Sequence, residues 1–326
     1  MKKATIIVYQ EDPYNSMFDV LFEDLRDDAD VFFVMEKALP EHGFYRYLPS
    51  KKLKSITFGL SNRLYLHYYN LPKEIKKLKR KYDHISVLLH NASLIKPQYP
   101  VEMFPALKKM ASFNLLYVDA HDHVTVSGHA NYLLRHDVFD RVFTIDPVDA
   151  KKYNLEFCFT PYSKLSFTGS SLPQKQMYFC GGNAGRMYML YSIWKSAKEK
   201  KIKAVYDLAH SKLFADFFEG DPNVHLVEHL PYREVLKNVC ASSCILDITK
   251  KGQAALTLRP YEAVVYNKKL LTNNKNIVQF KYYDERFMKY FEKIEDIDWD
   301  WIREDCTIDY GYQDDFSPKL LLEKMK

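Results

Sequence analysis

Strand-length apolar runs alternate with helix-period segments along almost the whole chain, and this alternation limits the fold more than any other feature of the sequence. Runs at 4–9 (ATIIVY), 30–34 (DVFFV), 84–90 (HISVLLH), 114–120 (NLLYVDA) and 141–146 (RVFTID) read as strands, with a helix over 16–26. At 160–175 the pattern lapses into TPYSKLSFTGSSLPQK, whose Ser, Pro and Gly mark a linker or crossover. It then restarts with strands at 176–180, 202–207, 224–228, 243–248 and 269–273, and helices at 188–200, 212–218, 233–238 and 258–266. Such alternation selects an α/β fold with mostly parallel sheets. With 326 residues the chain exceeds one ordinary core, so two Rossmann-like, doubly wound domains facing a cleft are expected. Their expected extents are 1–168 and 169–305, with a tail over 306–326 placed to pack back on the first domain.

Composition excludes several classes. Apolar residues at 47% and charged residues at 27% belong to a folded globular chain. A net charge of +5 is mild for this length and argues against a dedicated nucleic-acid binder. Lys73, Lys76, Lys77, Lys79, Arg80 and Lys81 crowd one expected helix, which reads either as a solvated face or as a patch for an anionic membrane surface or substrate. Five cysteines without a CxxC pair point to a reduced, cytoplasmic setting. Met1 to Lys3 run directly into a strand, so no signal peptide is expected. No apolar run approaches 18 residues, so any membrane contact is expected to be peripheral.

Two loops carry the chemistry. In GQAALTLRPYEAVVYNKKLLTN, over 252–273, Thr257 suits a helix N-cap and Pro260 fits the first turn. Arg259 and Glu262 lie three apart on one helical face. A diphosphate there meets backbone N–H groups, the positive end of a helix and a guanidinium, while the carboxylate can accept from ribose hydroxyls. The alternative is an ordinary capped helix with an Arg/Glu pair. The second loop reads Gly181, Gly182, Asn183, Ala184, Gly185, Arg186; its glycines permit close approach to an anion, or simply a tight strand-to-helix connection. It is neither a GxGxxG dinucleotide fingerprint nor a Walker loop. Both loops follow strands of one domain, so they are expected on one sheet edge, where Lys250, Lys251, Arg259 and Arg186 converge with two helix N-termini. Tyr232 in HLPYREVL follows another strand, and is either a packing partner for a base or ribose or a core aromatic.

The succession MYFCGGNAGR, DPNVHLVEHLPYREVLKNVCASSCILDI and KKGQAALTLRPYEAVVYNKKLLTNN resembles the donor domain of GT-B glycosyltransferases. The nearest likeness is to bacterial lipopolysaccharide, capsule and exopolysaccharide biosynthesis enzymes, including the galactofuranosyltransferase-like group. FDRVFTIDPVDAKKYNLEF is similar to the end of their first domain, so the resemblance covers roughly 80–280. It implies a nucleotide sugar, UDP-linked by preference, held by the second domain, an acceptor held by the first, and no required cofactor. Gly181, Gly182, Asn183 and Arg186 are then expected at the diphosphate. Gln253, Thr257 and Arg259 are expected at the phosphates or donor sugar and Glu262 at the ribose, with Lys250 and Tyr232 added by their place beyond strands of the same sheet. Ala254 stands where an EX7E pair would place its first glutamate, which leaves the stereochemical outcome open.

Transfer by inversion needs a base for the acceptor hydroxyl. The segment DAHDHVTVSGH supplies Asp119, His121, Asp122, His123 and His129 directly after an expected strand, and Asp119, then His121, are the candidate catalytic bases. The same cluster suits a zinc or manganese ion, so a metal-dependent hydrolase is an alternative, as is a catalytically silent sugar-nucleotide-binding partner. The DxD tripeptides at 28–30 and 296–300 do not directly follow strong strands and are not read as a metal grip. The acceptor is expected to be a lipid-linked surface glycan, with no metal and no nucleic acid involved and a homodimer left open.

Overall fold

The computed structural model describes residues 1–10, 16–36, 66–91, 99, 103–118, 138–167, 174–182, 185–209, 217–218, 220–228, 230–250 and 255–325. It divides into two compact units, Met1–Pro161 with Ser317–Lys326, and Tyr162–Phe316.

In the first unit β1 (Lys3–Gln10) is followed by α1 (Ser16–Leu21), β2 (Val31–Glu36), α2 (Asn70–Leu78), β3 (His84–His90) and α3 (Phe104–Leu107). Then come β4 (Ser112–Tyr117), β5 (Arg141–Thr144), α4 (Pro147–Tyr153) and the two-residue β6 (Glu156–Phe157). The sheet order is β2-β1-β3-β4-β5-β6 and every pairing is parallel. Ile6, Val8, Val87, Leu89 and Leu115 turn one face into a core with Leu71, Ile75 and Leu78 of α2. Burying each such side chain contributes about 2 kcal/mol. The spacing of those α2 residues leaves Lys73, Lys76 and Lys77 on the exposed side, where Lys77 pairs with Glu74 at 2.9 Å. Glu36 is buried because it serves the start of α2, accepting from Asn70 N at 3.0 Å and Leu71 N at 2.6 Å. Asp146 caps α4 in the same way, and Asn154, in the left-handed region at φ 53°, ends it.

The second unit runs β7 (Lys175–Gly181), α5 (Met187–Glu199), β8 (Ala204–Ala209), β9 (Val224–Val227), α6 (Tyr232–Cys240), β10 (Ser242–Asp247) and α7 (Leu258–Val265). It closes with β11 (Lys269–Thr272), β12 (Met288–Tyr290) and α8 (Trp299–Arg303). The order is β12-β11-β10-β7-β8-β9, again all parallel. Counted from β7, this is the 3-2-1-4-5-6 arrangement of a doubly wound sheet, so the winding reverses between β7 and β10. Met177 and Phe179 pack on Leu190, Ile193 and Trp194 of α5. Tyr178 faces the other side, where its hydroxyl donates to Asp207 at 2.6 Å and Asn238 of α6 joins the same carboxylate oxygen at 2.9 Å. A final helix, α9 (Pro318–Lys324), returns to the first unit, where Ser317 Oγ donates to Asp24 at 3.1 Å and Lys324 Nζ to the Phe157 carbonyl at 3.1 Å.

The units divide at 161/162 and 316/317 instead of at 168 and 305, and main-chain and side-chain contacts together account for both. Tyr162 N donates to Phe316 O at 2.7 Å and Leu165 N to the Tyr266 hydroxyl at 3.1 Å, which commits 162–165 to the second unit. Tyr310 donates to Lys268 O at 2.9 Å, and Phe316 packs on Tyr261 and Phe280, which carries that unit on to 316. The helix expected over 212–218 falls mostly outside the described residues.

Candidate functional site

The place where strand order reverses is where an open α/β sheet offers a crevice beyond its strand ends. Two arginines occupy the carboxyl ends of β7 and β10. Arg186, leading into α5, donates from Nε to Gly182 O at 2.9 Å and from its Nη1 to Ile248 O, so it ties the end of β7 to the end of β10. Its guanidinium lies over the Phe179 ring, 5.3 Å from the centroid. Gly181 leaves room for this placement of the guanidinium: a Cβ there would stand 2.8 Å from Arg186 Nη2 and 3.3 Å from the Phe179 ring, so Arg186 would have to shift. Gly185, at φ +78°, makes the left-handed step that turns the chain toward α5.

Arg259 comes from α7. Thr257 is extended and accepts Arg259 N at 3.1 Å as N-cap, while its own Oγ1 donates to Asp247 Oδ1 at 2.9 Å. That pair of bonds fixes the start of α7 on the end of β10. Asn273 holds the other flank, its Oδ1 accepting Thr249 N at 2.8 Å, and Asn274 Nδ2 donates to Ala255 O at 3.2 Å. The Arg259 guanidinium donates from Nη1 to Glu262 Oε2 and from Nη2 to Cys180 O at 3.3 Å. Each arginine therefore commits two of its five N–H groups to protein acceptors among the described residues.

The charges influence one another. Burial pushes the Arg186 guanidinium below its ordinary range; Asp247 opposes that shift and neighbouring Arg259 adds to it. Burial acts on Arg259 in the same sense, but Glu262 foremost, with Cys180, Tyr232 and Tyr178, more than restores the charge and raises it. Asp247 is buried between Thr257 and Thr272, which both donate to it; burial raises its carboxyl, against those bonds and the two arginines. Two adjacent, partly desolvated guanidinia are thus balanced by two buried carboxylates, Asp247 and Glu262, and each keeps N–H groups that an anionic ligand can take up.

Glu262 is fully buried, with its Oε1 accepting the Tyr232 hydroxyl at 2.7 Å. Tyr232 is itself buried, and its hydroxyl lies 3.3 Å from that of Tyr162. Burial, with Glu262 next for Tyr232 and Tyr232 next for Tyr162, holds both phenols well above their ordinary range, so both stay protonated donors. Lys250 is exposed, two residues past Ile248.

The structure thus brings Gly181, Gly182, Arg186, Tyr232, Thr257, Arg259 and Glu262 to one corner of the second unit. Asn183, Lys251 and Gln253 lie outside the described residues, as do Asp119, His121, Asp122, His123 and His129. The chain enters that last segment from Val118, whose N–H donates to Asn91 Oδ1 at 2.8 Å. Sequence reasoning missed Asp247 and Tyr162. A carboxylate ending the buried run SCILD was the available signal for the first, and none marked the second. The DxD tripeptides serve local structure: Asp28 accepts Asp30 N at 2.9 Å, Asp296 accepts Lys293 N at 2.9 Å and Asp298 caps α8 through Trp301 N at 2.9 Å. Among the described residues no group of three His, Cys, Asp or Glu side chains is placed to hold a metal ion.

No protein-family model matches the chain, and no curated protein matches it significantly. Solved structures do match in fold. UDP-GlcNAc 2-epimerase of Methanocaldococcus jannaschii, in complex with UDP-GlcNAc and UDP, is 10% identical with a TM-score of 0.51 over 99% of this chain and all of its own. S. aureus MnaA in its UDP co-structure is 12% identical at 0.51, over 100% of this chain and 96% of that one. The glycosyltransferase VinC in complex with dTDP is 10% identical over 92% and 89%, at 0.40. The chain has a two-domain, GT-B-like α/β fold built on two parallel sheets.

Proposed function

We propose that this chain is a hexosyltransferase that moves a hexosyl group from a nucleotide sugar, with UDP-sugar as donor, to a hydroxyl of a lipid-linked surface glycan. The observation that carries the reading is the pair of guanidinia at the β7/β10 reversal, bridged to both strand ends and flanked by the starts of α5 and α7. In glycosyl transfer the sugar–oxygen bond breaks and negative charge gathers on the departing diphosphate. Fixed cations and helix N-termini stabilise that charge without reorganising at the moment of reaction. Arg186 and Arg259 take that role, with Gly181, Gly182, Asn183, Lys250, Gln253 and Thr257 around the phosphates and donor sugar. Asp119, or His121 after it, removes the acceptor proton. The exposed lysines of α2 suit an anionic leaflet, which gives a peripheral, cytoplasmic-face enzyme; among the described residues no helix is long and apolar enough to cross a membrane.

Thermal unfolding with UDP, GDP, CMP and dTDP tests the donor site. UDP is expected to stabilise the protein, by about 2.7 kcal/mol at a hundredfold excess over Kd, and Arg259→Ala to shrink the shift at the same UDP concentration. If no nucleotide shifts the protein, the proposal is wrong.

The activity named for the M. jannaschii neighbour supplies a second reading, epimerisation of a UDP-sugar, favoured by that alignment's span over both chains. Incubation with a UDP-hexose and a lipid-linked glycan acceptor separates the two: a transferase moves the hexosyl group to the acceptor hydroxyl and releases UDP, whereas an epimerase leaves the sugar nucleotide intact with one carbon inverted, acceptor or not.

A further inference from the structure

We infer that Glu262 and Tyr232 are positioning residues that act on the donor diphosphate through Arg259, and that Glu262 does not bind the ribose. The inference rests on the donor-site reading above. A carboxylate that binds ribose hydroxyls must offer an oxygen to the ligand. Here the Glu262 side chain is 0% exposed, with one oxygen facing the Arg259 Nη1 and the other the Tyr232 hydroxyl at 2.7 Å. The Arg259 side chain, 16% exposed, is the member of the charged pair that is open to a ligand.

The geometry fixes the order of action. A guanidinium on a flexible stem is costly to immobilise, and a rigid fork gains most when its plane is set before the ligand arrives. Arg259 is held on two sides, by Glu262 from its own helix and by Cys180 O from β7. Glu262 is held in turn by Tyr232 from α6. Each hydroxyl carries one proton. If Tyr232 gives its proton to Glu262, it accepts that of Tyr162, 3.3 Å away at the point where the chain enters this unit. Three buried side chains, Tyr162 of the entry segment, Tyr232 of α6 and Glu262 of α7, therefore aim one guanidinium.

Titration calorimetry with UDP and with inorganic pyrophosphate, which has no ribose, tests this on wild type, Glu262→Gln and Tyr232→Phe. Both variants keep side-chain size, and ligand-free thermal unfolding checks their fold. Glu262→Gln is expected to weaken UDP and pyrophosphate by the same factor, roughly tenfold, and Tyr232→Phe to weaken both by a smaller common factor. In an Arg259→Ala background, Glu262→Gln is expected to add nothing. Loss of UDP affinity with pyrophosphate unchanged would identify a ribose contact and overturn the inference, as would unaltered binding of both ligands by both variants. Wild-type protein that binds neither ligand overturns the donor-site reading, and this inference falls with it.

Discussion

A guanidinium withdrawn from water beside a second guanidinium needs acceptors close by, and Arg186 and Arg259 obtain them differently. Arg186 uses main-chain carbonyls at two strand ends, whereas Arg259 uses a carboxylate four bonds from its own helix backbone and one carbonyl. Asp247 offsets part of the joint charge without contacting either guanidinium through a hydrogen bond, since its two oxygens take the Thr257 and Thr272 hydroxyls. His90, at the end of β3, responds to burial in the same sense as Arg186. Stacked on Phe18 at 4.1 Å, it is held by burial at about 3, against 6.5 for an unburied histidine. Between those values the unfolded chain binds a proton that the folded one does not. Stability is therefore expected to fall as pH drops from about 6.5 toward 3, by up to about 1.4 kcal/mol per pH unit from this residue. Urea unfolding across that range should show a shallower acid slope for His90→Leu; an unchanged slope would mean that His90 titrates normally in the folded protein.

At the level of elements, the loops after β7 and β10 matter through what pins them. Thr257 does two jobs at the start of α7, capping Arg259 N and donating to Asp247. Thr257→Ala is expected to cost about 2 kcal/mol, the cap plus a weakened buried carboxylate, and Thr257→Ser to recover most of it, as read by urea unfolding. Equal stability of the Ala variant and wild type would contradict this account of the helix start. Much of this arrangement was legible in the sequence because it is local. The cap, the Arg/Glu spacing and the small-residue turn after β7 all lie within a few residues of a strand end. Apolar runs likewise announced ten of the strands, whereas β6 and β12, two and three residues long, are too short to carry a pattern. What stayed hidden depends on distant pairing. Tyr162 lies 70 residues before Tyr232, and Arg186 lies 62 before Ile248. Only the order of strands brings β7 beside β10, and no local signal encodes that order. For the same reason Glu262 looked accessible on its helical face, yet the fold covers it with α6.

For the whole molecule, the two units each complete their own sheet and core, and the chain passes from the first to the second and back, so that α9 ends in the unit where β1 begins. The candidate chemistry divides along that line: the arginine pair belongs entirely to the second unit, and the proposed base Asp119 to the segment after β4 in the first. The central claim is that the second unit binds a nucleoside diphosphate at the β7/β10 reversal through Arg186 and Arg259. Its most direct test is the crystal structure of the full chain with UDP. The account predicts the diphosphate within about 3 Å of both guanidinia, over the starts of α5 and α7, with Glu262 still enclosed by Tyr232. UDP bound with its phosphates remote from both arginines would contradict it.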